Sequence, residues 1–373
     1  VNAPDAERLV LGIETSCDET AAAVVRGGRT VLSNVIASQH DLHSEYRGVV
    51  PEIASRAHAE RVLPVVRRAL ADGGVALRDV RAVAVGNRPG LIGSLLVGVG
   101  AAKGLAWALG VPVIGVDHVQ AHLVAGCIGP AGAEPGPVRW PALGLVVSGG
   151  HTSMYVCDSS TRAARIGATI DDAVGEAYDK VATILGLPFP GGPELDRLAQ
   201  TGRAHRPGFP LARIAPDSLD FSFSGLKTAA LYTFRGVPES PQARARREAR
   251  GEPEHGPTMN AADVAATFQE AAVSAVVLKV QRALDRRPDC RVLLVGGGVS
   301  ANSLLRQRLL AIGEARGVEV RLPRMEYCLD NAAMVAALGH AILAERNWRG
   351  DEWSMTASPS TAFCAGPAGA GAP

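Results

Sequence analysis

Leu9-Val-Leu-Gly-Ile-Glu14, Thr15-Ser-Cys-Asp-Glu-Thr20 and Ala21-Ala-Ala-Val-Val25 follow one another as a β-rich apolar run, a hydroxyl-rich turn and a second apolar run. That order predicts a strand, a turn and a strand. It returns at Ala142-Leu-Gly-Leu-Val-Val147, Ser148-Gly-Gly-His-Thr152 and Ser153-Met-Tyr-Val-Cys157. A second unit also recurs. Val80-Arg-Ala-Val-Ala-Val85 leads through Gly86-Asn-Arg-Pro-Gly90 into a helical stretch, and Arg291-Val-Leu-Leu-Val295 leads through Gly296-Gly-Gly-Val-Ser300 into residues 301–312. Each half therefore carries a hairpin first and a strand, glycine loop and helix later. The repetition predicts an α/β fold of two duplicated RNase H-like domains, of the actin/Hsp70/hexokinase-like ATPase kind, facing a central cleft lined by both turns and both glycine loops.

The expected domains are 9–135 together with 325–348, and 136–324 with a Pro-rich loop insertion at 236–260. Residues 354–373 are Ser, Ala, Gly and Pro with few large apolar groups, which predicts a disordered tail. The chain's 373 residues suit two domains at roughly 100–200 residues each. Apolar residues make up 47% and charged residues 20%, a globular balance. Lys plus Arg at 38 against Asp plus Glu at 37 gives a net charge of +1, so no global field draws the chain to nucleic acid or anionic lipid. Only local patches remain for RNA, at Arg203, His205, Arg206 and Arg213 and at Arg244, Arg246, Arg247 and Arg250.

Six scattered cysteines without a C-x-x-C pair suggest neither a disulfide framework nor a zinc knuckle, and point to a reducing cytoplasm. No secretory signal opens the chain. Lys103 splits the apolar segment 90–116 into runs too short for a membrane span, so no membrane partner is expected. Only four lysines occur, Lys103, Lys180, Lys227 and Lys279. Two of them sit in dense motifs, where a compact ammonium has a use that arginine does not serve.

Several groups suit chemistry. His118-Val-Gln-Ala-His122 puts two imidazoles on one face of a helix, a spacing used by metal sites; the alternative is two ordinary surface or capping histidines. Asp330 is a candidate third ligand, or simply the N-cap of the apolar helix that follows it. Ser148-Gly149-Gly150 at a hairpin turn lets backbone N–H groups converge on an anion, though it also suits an ordinary glycine turn. Asp172, Glu176 and Asp179 share a helical face that suits ribose hydroxyls or plain solvation. Gly296-Gly-Gly-Val-Ser-Ala301 matches a dinucleotide fingerprint formally, but it lies far from the start of a βαβ run. A Walker loop and an H-E-x-x-H motif are both missing from the sequence.

Taken in order, Gly12-Ile-Glu-Thr-Ser-Cys-Asp-Glu-Thr20, Gly48-Val-Val-Pro-Glu52, Asp117-His-Val-Gln-Ala-His122, Leu145-Val-Val-Ser-Gly-Gly-His-Thr152, Asp171-Asp-Ala-Val-Gly-Glu-Ala-Tyr-Asp-Lys180, Pro190-Gly-Gly-Pro193, Phe221-Ser-Phe-Ser-Gly-Leu-Lys227, Gly297-Gly-Val-Ser-Ala-Asn302 and Asp330-Asn-Ala-Ala-Met334 resemble the tRNA N6-adenosine threonylcarbamoyltransferase family. The resemblance implies transfer of a threonylcarbamoyl group from threonylcarbamoyl-adenylate to the N6 amine of the adenosine 3′ of the anticodon, position 37, in tRNAs reading codons that begin with A. It implies that His118, His122 and Asp330 hold one divalent metal, usually Fe2+, with Zn2+ possible in purified protein. Val146, Val147, Ser148, Gly149, Gly150, Asp179, Gly192, Asp196 and Asn302 would contact the adenylate. It further implies a cytoplasmic enzyme working with tRNA, a smaller paralogous (TsaB-like) subunit and a separate (TsaE-like) ATPase.

An adenylate is an activated mixed anhydride, so orientation and charge stabilisation dominate its chemistry. The attacking aromatic amine must lose a proton, and Asp18 in the first turn is the expected catalytic carboxylate. Arg88 stands where the family usually has the first glycine of a Gly-Pro-Gly loop. Three rivals remain at this level: a small-molecule kinase of the same architecture, a non-catalytic ATPase-like scaffold, and a metalloprotease lacking its base.

Overall fold

The computed structural model describes residues 5–46, 48–212, 214–215, 217–236, 242, 249–250 and 259–361. Strands β1 (Leu9–Glu14), β2 (Glu19–Arg26) and β3 (Thr30–Ser38) form an antiparallel meander. A short α1 (His40–His43) and the long α2 (Pro51–Asp72) lead to β4 (Val80–Arg88). Then α3 (Ile92–Leu109), β5 (Val113–Asp117), α4 (His118–Val124) and a short β6 (Gly129–Pro130) complete the first half. The sheet order is β5-β4-β1-β2-β3-β6, with β1, β4 and β5 parallel.

The second half repeats the plan. Strands β7 (Ala142–Val147), β8 (Thr152–Cys157) and β9 (Ala163–Ala168) form its meander. Helices α5 (Val174–Ile184), α6 (Gly191–Ala199), α7 (Ser224–Arg235) and α8 (Ala261–Arg286) precede β10 (Val292–Gly296). Helix α9 (Ser303–Arg316) and β11 (Glu319–Arg321) follow, giving the order β11-β10-β7-β8-β9. Both sheets thus place the third, second and first strands beside two later parallel strands. This is the duplication that the paired motifs predict.

The last helix, α10 (Ala332–Glu345), returns to the first sheet and packs on β1, β2 and β4. It carries Ala332, Ala333, Ala336, Ala337 and Gly339 because the sheet lies very close. A Cβ on Gly12 would stand 2.2 Å from the Ala332 carbonyl oxygen. The opposite face of the sheet is filled by Val62, Val65, Val66 and Ala69 of α2 and by Leu95, Val99, Ala102 and Ala106 of α3. In the second half, Leu143, Leu145 and Val147 point into the α5–α9 core, while Ala142 and Val146 point the other way, onto Val119 and Leu123 of α4. Helices α3 and α8 are long and apolar enough by composition to cross a membrane, yet α3 packs on β4 and α2, and α8 on α6, α7 and α9.

One expectation needs correcting. Residues 354–361 are not a loose tail, because the backbone finds partners that composition does not reveal. Asn87 Nδ2 donates to the Thr356 carbonyl at 3.0 Å, Ser358 N donates to the Asn87 carbonyl at 2.9 Å, and Ala357 is buried in the first half's core. Residues 362–373, and most of the insertion at 236–260, lie outside the described residues.

Replacing Gly12 by Ala should lower the unfolding free energy by roughly 1–3 kcal/mol, the cost of overpacking a tight contact. Chemical denaturation measures this, and an unchanged midpoint would contradict the close approach of α10.

Candidate active site

Helix α4 follows β5 directly. Asp117 caps it, with Oδ1 accepting from Val119 N at 3.0 Å and Gln120 N at 3.2 Å. Of its seven residues only Gln120 escapes burial. Val119 and Leu123 belong to the second half's core, whereas Ala121 and Val124 pack with α10 in the first. The absence of a side chain at Gly296 permits this: a Cβ there would lie 2.0 Å from the His122 carbonyl oxygen. The helix that bears both histidines is therefore wedged between the two halves.

The imidazoles stand edge to face, with ring centres 4.7 Å apart. His118 Nε2 and His122 Nε2 converge on Asp330 Oδ1, at 3.3 Å and 3.2 Å. Asp330 is free to do this because Asn331, not Asp330, caps α10, by accepting from Met334 N. On its other side, His118 Nδ1 meets Glu14 Oε2 at 3.0 Å and Ser16 Oγ at 3.2 Å. Glu14 Oε1 also accepts from Ser16 N, which ties the first turn to the same histidine.

Burial alone would push His118 down, but Asp330 and Glu14 outweigh it and hold the imidazole well above its ordinary value. Burial dominates at His122 and keeps it neutral. Burial opposes ionisation of Asp330, but the two imidazoles hold that carboxyl well below the usual range. Two N–H groups competing for one oxygen is a poor use of two buried imidazoles and a half-buried carboxylate, and His122 Nδ1 has no hydrogen-bond partner among the described residues. A divalent cation suits the set better. Ligand atoms about 2.1 Å from a shared ion lie roughly 3.0–3.4 Å apart for angles between 90° and 109°, and both nitrogen–oxygen separations fall in that interval. Glu14 would then serve as the carboxylate that orients a metal-bound histidine.

The predicted adenylate residues all lie in the second half. Val146 and Val147 end β7, both buried, and Ser148 N closes the turn onto the His151 carbonyl at 2.8 Å. Gly149 and Gly150 are exposed at its tip, with space where side chains would be. Asp179 Oδ1 accepts from Gly191 N at 2.9 Å and Gly192 N at 3.2 Å, and so holds the start of α6. Farther along that helix, Asp196 accepts from Ser303 N, Ser303 Oγ and Gln269 Nε2. Asn302 donates to Gln269 Oε1 at 3.0 Å and caps α9 through Leu305 N. A cavity of about 410 Å³ borders Asp179, lined also by Thr183, Leu187, Pro188 and Phe189.

Asp18 is buried in the first turn, 3.7 Å from His40 Nε2, which also meets Glu19 Oε1 at 3.3 Å. These three form a second group with ligand-like spacing. Burial pushes Glu19 up to about 8, and hydrogen bonding to Glu19 raises His40. His40 touches Phe189 edge to face at 5.9 Å, which brings the first half against the rim of the cavity.

Other expectations resolve differently. Asp172 lies before α5, and Lys180 Nζ binds it at 2.7 Å and Glu176 at 2.9 Å. Of the three acids, Asp179 alone binds the glycine N–H groups, and Lys180 is accounted for by its two acidic partners. Arg88 sits at the end of β4 beside Asn87, Nε to Oδ1 3.4 Å. Arg203 and Arg206 are exposed and His205 pairs with Asp263; Arg213, Arg244, Arg246 and Arg247 lie outside the described residues. Sequence reasoning passed over Glu14 and His151 as individual groups. A carboxylate closing an apolar strand is the signal for the first; burial and the neighbouring imidazoles push His151 down to about 4.

The family model for tRNA N6-adenosine threonylcarbamoyltransferase matches residues 30–337. A Trichlorobacter lovleyi protein of that name is 48% identical over 336 residues, 90% of this chain and 92% of its own. The chain belongs to the tRNA N6-adenosine threonylcarbamoyltransferase family. An Anaeromyxobacter dehalogenans transferase of the same name is 49% identical over 338 residues, 90% of this chain and 94% of its own. Among solved structures, full-length HypF in its phosphate- and nucleotide-bound form superposes with a TM-score of 0.54 at 15% identity, over 94% of this chain and 48% of that one. HypF of T. kodakarensis gives 0.55 at 14%, over 92% of this chain and 48% of that one. These two likenesses carry the ATPase-like fold. Nothing in the threonylcarbamoyltransferase match favours a kinase, a scaffold or a protease.

Because His118 is raised, it holds its proton below its own pKa, and a cation binding at Nε2 must displace that proton. Zn2+ affinity should therefore strengthen as pH rises, with about one proton released per ion. Calorimetry in buffers of different ionisation heat measures this, and no release would contradict the charge assignment.

Proposed function

We propose that this chain transfers the threonylcarbamoyl group of threonylcarbamoyl-adenylate to N6 of adenosine 37 in tRNAs reading codons that begin with A. Family membership over nine-tenths of the chain carries the reaction class. The trio of His118, His122 and Asp330, wedged between the halves beside the Ser148-Gly149-Gly150 turn, supports the site. In the transfer N6 attacks the carbonyl carbon, the N–C bond forms, the C–O bond to phosphate breaks, AMP leaves with the bonding pair, and N6 gives up a proton.

Gly149 and Gly150 at the exposed tip of the Ser148-Gly149-Gly150 turn offer backbone N–H groups to the phosphate, with Val146 and Val147 forming the strand that fixes its position. Asp179, anchored by the glycine N–H groups of α6, accepts from a ribose hydroxyl. Gly192, Asp196 and Asn302 complete the adenosine side. Asp18 takes the N6 proton from across the cleft, beside His40 and Glu19. When bound to His118, His122 and Asp330, Fe2+ or Zn2+ supplies Lewis-acid polarisation of an adenylate oxygen.

The reading places the enzyme in the cytoplasm with tRNA, a smaller paralogous (TsaB-like) subunit and a separate (TsaE-like) ATPase. Large apolar side chains left unburied support the first of these protein partners. Ile92, Leu96 and Trp107 on one face of α3 are 48%, 51% and 77% exposed, and Leu63 of α2, a helix packed on α3, is 49% exposed, as suits an interface.

Mass spectrometry of nucleosides from an unmodified transcript, incubated with the protein, its partners and synthetic threonylcarbamoyl-adenylate, should detect the modified adenosine. His118→Ala should abolish it. Asp18→Ala should lower turnover by roughly 10²–10⁴-fold, the usual share of a general base, with metal content unchanged. Full turnover in Asp18→Ala would remove that role, and no product from the intact protein with active partners would remove the function. Separately, Trp107→Asp should weaken capture of the paralogous subunit at least about tenfold, on the scale of an aromatic hot spot. Equal binding would move the interface elsewhere.

A further inference from the structure

The C-terminal segment 351–361 binds the same strand ends that present the histidine helix. Asp351 N donates to the Val113 carbonyl at 2.8 Å, and Asp351 Oδ2 accepts from Gly115 N at 2.8 Å. Lys103 Nζ on α3 reaches the Trp353 carbonyl at 2.6 Å. Met355 covers the open backbone of Gly115, where a Cβ would meet its sulfur at 2.7 Å. Thr356 and Ser358 then bracket Asn87 at the end of β4. The segment ends with Thr361 Oγ1 donating to Asp117 Oδ2 at 2.7 Å.

That last contact falls on the carboxylate that caps α4. Asp117 Oδ1 serves Val119 N and Gln120 N, and Thr361 grips the second oxygen. Two-point attachment fixes the carboxylate's rotation and with it the first helical turn. In a helix of seven residues the cap is a large part of what holds that turn, and its first residue is His118.

We propose that residues 351–361 form a strap whose Thr361 hydroxyl positions the Asp117 cap, and through it His118, for metal binding. Thr361 is thus a positioning residue; the inference rests on the metal reading of His118, His122 and Asp330. It assigns work to a segment whose second half, Thr356 to Thr361, is only Ser, Ala, Thr and Pro.

The test uses the full chain, stripped of metal and titrated with Co2+, whose visible absorption reports both affinity and ligand geometry. Outer partners of metal ligands typically contribute roughly 10–100-fold in affinity. Thr361 acts one step farther out, so Thr361→Val should weaken Co2+ binding roughly three- to tenfold and alter the visible bands. Thr361→Ser, which keeps the hydroxyl, should restore wild-type affinity, and a chain ending at Ser360 should behave as Thr361→Val. Wild-type affinity and bands in Thr361→Val, wild-type binding by the shortened chain, or a loss in Thr361→Ser equal to that in Thr361→Val would each overturn the strap. Failure of the wild-type protein to bind Co2+ would instead overturn the metal reading itself, and the inference with it.

Discussion

Helix α4 must bury two imidazoles at the one place where both halves of the molecule need apolar packing. Its Val119 and Leu123 complete the second half's core and its Ala121 and Val124 complete the first, so the only position of the helix that reaches solvent is Gln120, and both histidines are buried. Buried polar groups of this kind persist only when paired. Glu14, at the end of β1, and Asp330, just ahead of α10, supply the pairing, one on each side of His118. Three elements far apart in the chain are thereby bound to one electrostatic knot, and the turn that carries Asp18 is tied to it through Ser16.

Two ionised carboxylates around one charged and one neutral imidazole leave the knot with a negative balance in a poorly solvated place. A divalent cation that displaces the His118 proton neutralises that balance and occupies the nitrogen lone pairs at once. In the neighbouring group, His40 Nε2 lies 3.3 Å from Glu19 Oε1 and 3.7 Å from Asp18 Oδ2, and both Glu19 and His40 are raised. The first arrangement brings two imidazoles to one carboxylate, the second brings one imidazole to two. Both face the junction between the halves, with Phe189 of the second half resting on His40 of the first.

Much of this was legible from residue order. Paired hairpins and paired glycine loops predict two similar sheets, and the strand orders repeat. The His118/His122 spacing predicts one helical face, and both rings do share it. What stayed hidden depends on contacts between distant segments. Asp330 reads from the sequence as either a ligand or the cap of α10, and the structure gives the cap to Asn331, which accepts from Met334 N. Asp172, Glu176 and Asp179 look alike on a helical wheel, but the helix begins at Val174 and Lys180 takes the first two. Residues 355–361 look unable to pack because composition counts side chains, whereas they are held by backbone and hydroxyl hydrogen bonds to Asn87 and Asp117.

The most direct measurement is anomalous diffraction at the metal absorption edge from crystals of the Fe2+- or Zn2+-loaded protein. The account predicts one dominant peak within about 2.0–2.2 Å of His118 Nε2, His122 Nε2 and an Asp330 oxygen. A peak at Asp18, Glu19 and His40 instead, or no peak in a protein that turns over, would contradict it.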